Sequence, residues 1–186
     1  MKKTLAVLIV ICCFSSMAFA QRSARRSRPF QLSLTPEIAL HPSDVLIRGL
    51  SLSVWGENPQ HSLALGIASG SVGDSYGFMW SWLLNYSENY TGLQWAAINY
   101  NRNNYLGWQH GLVNYTGGYL KGVQTGWVNY AHEMQGVQLG LFNYADLSRD
   151  FVLQLGLVNV IAETERWFGE FPDALAPAMV FVNWRF

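Results

Sequence analysis

The chain has 186 residues, with 12 Lys and Arg against 12 Asp and Glu, and 15% of it is Trp, Tyr or Phe. A balanced charge offers no basic field to phosphate backbones, so a general nucleic-acid binder is excluded and no nucleic-acid partner is expected. The length fits one domain, and both cysteines, Cys12 and Cys13, fall within the first twenty residues, which leaves the remainder no disulfide and no thiolate metal site.

Residues 1–20 read as a secretory signal peptide. Lys2 and Lys3 supply the positive start, Leu5 to Phe14 is an unbroken apolar run, and Ala18-Phe19-Ala20 is a small-x-small cleavage site before Gln21. The run is too short for a spanning helix, which needs about 20 residues. Cleavage would leave 10 basic and 12 acidic residues. Residues 21–29 follow as a basic flexible tail, with Arg22, Arg25, Arg26 and Arg28 set among Ser and without apolar neighbours.

Strands are expected from residue 30 onward. Phe30 to Thr35 alternates before Pro36, Val45 to Trp55 reads VLIRGLSLSVW, and His61 to Ser69 alternates more weakly. One unit then recurs six times: GFMWSWLLNY, GLQWAAINY, GWQHGLVNY, GVQTGWVNY, GVQLGLFNY and VLQLGLVNV. The copies begin at Gly77, Gly92, Gly107, Gly122, Gly136 and Val152, and SLALGIAS from Ser62 extends the beat, so repeats cover about 62–160. A fixed period of this length marks a repeat architecture. Each unit holds two period-2 sets, which argues for strand. One set runs Leu93, Trp95, Ala97 and closes on Asn99, with equivalents through to Asn159; the other carries Gln, then Gly or Ala, and usually Tyr. The five best cores contain no Asp, Glu, Lys or Arg. A last strand is expected over 176–186, which brings the count to ten.

The final residue is Phe186, preceded at alternate positions by Trp184, Val182 and Val180. This ending resembles the recognition end of Gram-negative outer-membrane β-barrel proteins. The G-x-Q-x-G-x-x-N units resemble bacterial exported surface-repeat proteins. The resemblance implies an exported envelope product with no assigned chemistry. The expected fold is all-β: a small antiparallel transmembrane β-barrel of about 8–10 strands over residues 30–186, with Gln and Gly inside and Leu, Val and Trp toward lipid. Outer-membrane lipid is then the expected partner, with an envelope protein as a further one. One register conflicts with this. Aligning Asn183 with the repeat Asn puts Phe186 on the Gln face, and a one-residue slip exchanges faces.

The alternative is a β-solenoid with one coil per repeat, in which the recurrent Asn stacks into a ladder between coils. Against it stand the roughly six linker residues per coil and the difficulty of enclosing Trp95, Trp108 and Trp127.

No catalytic, cofactor-binding or metal-ligating residue is assigned, and no cofactor is expected. His41, His61, His110 and His132 have no metal-ligand spacing, and no G-x-S-x-G elbow occurs. Glu163, Glu165, Glu170 and Asp173 lie in one acidic segment without the fixed offsets of a calcium loop. Glycosylation-type triplets at Asn85, Asn89 and Asn114 follow from an Asn-Tyr-rich repeat. The function expected is a non-enzymatic outer-membrane barrel with a structural or interaction role and no large pore. The alternative is a soluble periplasmic or surface-exposed repeat protein that binds a partner through an aromatic face. A third reading, a lipid-modifying barrel enzyme, depends on an essential Ser or His.

Overall fold

The computed structural model describes residues 26–186; the signal peptide, Arg22 and Arg25 lie outside them. Seven strands follow in order: β1 Ser27–Ser33, β2 Leu46–Glu57, β3 His61–Trp95, β4 Ile98–Asn101, β5 Tyr105–His110, β6 Val113–Ile161 and β7 Ala178–Arg185. β1 begins within the stretch read as a basic tail and takes in Arg28. Pairing is parallel from β1 through β6. Gly92 pairs with Gly107, and Gly107 with Gly122, so each residue lies on its equivalent one repeat later. β3 and β6 run for 35 and 49 residues because the chain turns corners without leaving extended conformation. The result is an all-β solenoid of about seven turns, one repeat per turn.

The antiparallel barrel is therefore corrected to its alternative, and the reason lies in the amides. In the barrel, the repeat Asn would close the lipid-facing set, where an unpaired amide costs several kcal/mol. Parallel stacking brings identical amides together instead. Asn85, Asn99, Asn114, Asn129, Asn143 and Asn159 form one column, in which each Nδ2 donates to the Oδ1 of the next at 2.7–2.9 Å. The second hydrogen of each interior amide goes to a backbone carbonyl, as Asn129 donates to Leu139 O at 3.1 Å. Gln94, Gln109, Gln124, Gln138 and Gln154 form a second column that donates toward the N-terminus, at 2.8–3.1 Å. Both columns are buried. Between them pack Tyr90, Tyr105, Leu120, Met134, Ala131, Ala145 and Ile161.

Gln and Asn share the interior because the alternation breaks once per coil. Ala97 and Ile98 both face outward, as do Leu112 and Val113, Trp127 and Val128, Leu141 and Phe142, and Leu157 and Val158. Each pair is a corner, and it moves the following Asn inside. The assignment of Asn to the Leu/Trp face and of Tyr to the Gln face is thus reversed, although Gln lies inside as expected. A second corner falls at Gly92, Gly107, Gly122 and Gly136, where φ is 135–143°.

The ends differ. At the N-terminal end the buried Gln31 donates to His41 O at 2.8 Å and Asn58 Oδ1 at 2.9 Å, and Asn58 donates to Pro42 O and Val45 O, which ties down the 41–45 loop. At the C-terminal end β7 turns back antiparallel to β6, pairing Leu153 with Trp184 and Gln154 with Asn183. Asn183 therefore aligns with the repeat Gln rather than the repeat Asn, which resolves the register conflict: the last strand runs the opposite way. Its outer edge is met by Leu175 N donating to Trp184 O at 3.2 Å, while Phe186 N donates to Asp173 O at 2.8 Å. Phe186 stacks on Phe151 at 5.5 Å.

Candidate interaction surface

With amides inside, the apolar side chains of the repeat are left outside. One outer face is built from the strand segments that carry Leu63–Ile67, Phe78–Trp82, Leu93–Ala97, Trp108–Leu112, Val123–Trp127, Val137–Leu141 and Leu153–Leu157. Its centre is a shallow trough lined by Trp80, Trp82, Trp95, Ala97, His110 and Trp127. Trp82 is 71% exposed and Trp127 62%. Within the trough Trp95 sits edge-on to Trp108 at 5.6 Å and to His110 at 5.5 Å. Trp108 Nε1 donates to Thr125 Oγ1 at 2.8 Å, and His110 Nδ1 lies 2.8 Å from the same oxygen. Trp95, Trp108 and Trp127, too large for a solenoid interior, are accommodated on its outer face.

Past the corner, Tyr100, Tyr115, Tyr130 and Tyr144 stack along the axis with ring centroids 4.8–5.6 Å apart. Charge collects along the remaining edge. Arg149 pairs with Glu133 at 2.5 Å and lies over the Tyr119 ring at 4.7 Å, and Asn89 donates to Asp74 at 3.0 Å.

The residues singled out from the sequence do not converge. His110 joins Thr125 on the Trp face, His132 Nδ1 lies 2.9 Å from Asp146 Oδ2, His61 stacks on Tyr76 at 3.9 Å, and His41 accepts from Gln31 through its carbonyl. Glu163 accepts from Ser148 N and Ser148 Oγ at 2.7 Å each, and Glu170 pairs with Arg185 at 2.6 Å, so the acidic segment is bound into the C-terminal cap. Glu165 is exposed. Among the described residues no group of three His, Cys, Asp or Glu could hold a metal ion, and no helix is long and apolar enough to cross a membrane. Asn85 and Asn114 are buried in the ladder.

Two carboxylates couple the edge to pH. Burial alone would raise the Asp146 carboxyl, but hydrogen bonds from Tyr130, His132 and Tyr144 outweigh it and hold the group below its ordinary value. Glu163 is likewise raised by burial and lowered by more through the Ser148 hydroxyl and N–H and through Arg185. A depressed carboxylate contributes stability that is present above its unfolded value, about 4, and lost as pH falls through the folded one. Thermal unfolding followed by circular dichroism is therefore expected to show a midpoint falling below about pH 4. Asp146→Asn and Glu163→Gln should each flatten that fall, and an unchanged acid profile would refute the assignment.

The exposed face was half legible. The Leu/Trp set was read as outward-facing, which it is, but on the outside of a solenoid rather than of a barrel. The Tyr column and the Gln ladder were missed; the signal for the latter was a Gln five residues before each repeat Asn from Asn99 to Asn159. No family model, no curated protein and no solved structure matches the chain.

Proposed function

We propose that this chain is an exported β-repeat binding protein of the bacterial envelope, periplasmic or surface-exposed, which docks a partner on its Trp/Leu face without performing catalysis. One observation carries the reading: a multi-coil sheet face is covered by exposed apolar and aromatic side chains. Contiguous exposed apolar patches on soluble proteins mark interaction sites, and aromatic residues are enriched at the centres of interfaces. The hydrogen-bonded interior beneath makes the face rigid, so little conformational freedom is lost on docking. Export rests on residues 1–20 and the envelope location on the repeat and terminal-Phe resemblance. A lipid-facing barrel, which motivated the outer-membrane assignment, has no counterpart in the solenoid.

Photo-crosslinking tests this. A photoreactive residue replacing Leu139, on the Trp/Leu face, is expected to form a covalent adduct in cells, whereas the same residue replacing Arg149 on the charged edge forms none. Equal labelling from both positions, or none from either, would remove the proposal.

A further inference from the structure

The docking partner can be specified further, on the reading just given: we infer that the Trp/Leu face takes a second copy of this chain, face against face. Size supports this. Coils stack about 4.8 Å apart and strand residues advance about 3.3 Å, so seven coils by five strand positions span about 34 by 17 Å, a planar footprint of roughly 570 Å² before side-chain relief is added. A standard interface buries about 600–1,000 Å² on each partner.

Charge supports it as well. In a twofold contact the same patch meets itself, so a charge near the axis faces its own like. The repeat cores on this face carry no Asp, Glu, Lys or Arg, while Glu133, Arg149 and Asp150 are kept to the edge.

The relief of the surface is the third argument. Trp82, Ala97, Leu112 and Trp127 stack in one column, each backbone N–H donating to the carbonyl of the residue before it in that series, at 2.8–3.3 Å. Two protruding indoles therefore flank a depression floored by the smaller Ala97 and Leu112. Knob and hollow on one patch are what self-complementarity requires. A lipid surface fits less well, because His110 and Thr125, hydrogen-bonded to each other, sit mid-face.

Sedimentation equilibrium of the purified full chain is the test, with circular dichroism to verify the fold of each variant. The wild type is expected at twice the chain mass at micromolar concentration. Trp127→Asp should weaken the dimer by about 30-fold or more, as loss of a large aromatic anchor does. Trp82→Asp, at a second exposed position, should do the same, and Arg149→Glu should leave the dimer intact. The Leu139 crosslink should then run at twice the chain mass. A monomer whose Leu139 adduct is a different protein would overturn self-association and leave the docking reading standing. So would a monomer that co-sediments with phosphatidylcholine vesicles. A monomer with no adduct removes both.

Discussion

Gly122→Ala is expected to cost about 3 kcal/mol or more and to unfold much of the chain at ambient temperature, through backbone strain at a conformation that L residues avoid. Gly122 has φ of +143°, and a Cβ built on it would lie 1.9 Å from Gly107 O. The obstruction is backbone of the coil below, which is itself stacked on Gly92, so no side chain can rotate away. Gly92, Gly107 and Gly136 meet the same obstruction at 1.9–2.0 Å, so the constraint belongs to the corner. Val152 shows what relieves it. It occupies the equivalent place two residues before Gln154, but its repeat is one residue longer, the positive φ moves to Asp150 at 59°, and Val152 is buried. Equilibrium urea unfolding of Gly122→Ala beside the wild type decides the matter; a midpoint near the wild-type value would show that the coils re-space at little cost.

Asn129→Leu is expected to be the second severe change, again about 3 kcal/mol or more, since each buried polar group left unpaired costs about 1–3 kcal/mol. The substitution keeps the shape and removes both the donor and the acceptor. Asn143 Oδ1 and Leu139 O lose their donor, and one hydrogen of Asn114 Nδ2 loses its acceptor. The end of the ladder gives the internal comparison. Asn85 Oδ1 is buried with no partner, so Asn85→Leu strands only Asn99 Oδ1 and Met79 O and should cost measurably less. Urea midpoints with an unchanged denaturant slope measure both. Equal losses at centre and end would show that the number of stranded groups does not set the cost.

The repeat period, the all-β class and the stacking role of the repeat Asn were legible in the chain, because a fixed offset between identical polar residues has few physical uses. The choice between barrel and solenoid was not, because both satisfy every backbone hydrogen bond and both tolerate uncharged strands. What separates them is the corner at Ala97–Ile98 and its equivalents. Two successive outward residues there look, in sequence, like a strand continuing. A strict two-residue alternation carried across that point sends Asn99 outside and Tyr100 inside, the reverse of what occurs. The last strand is present where expected, but its register was misread for a related reason: Asn183 matches the repeat Asn by neighbouring residues, whereas β7 runs antiparallel to β6 and sets Asn183 opposite Gln154. The exposed Trp face was visible as a residue set, whereas its environment depended on the fold.

The reversed strand at the C-terminal end has a consequence for how copies can accumulate. Coiled sheets that grow end to end need two complementary open edges, one offering what the other accepts, and repeating that junction yields an unlimited fibre. Here one end closes with β7 running against the stack, its edge taken up by Leu175 and its terminus by Asp173. A further copy continuing the chain direction of the coils would have to pair antiparallel with β7, and near Trp184 and Phe186 it would meet backbone already bonded. A chain whose interior is built on Asn and Gln ladders thus does not present, at this end, the parallel edge that would extend those ladders from one molecule to the next.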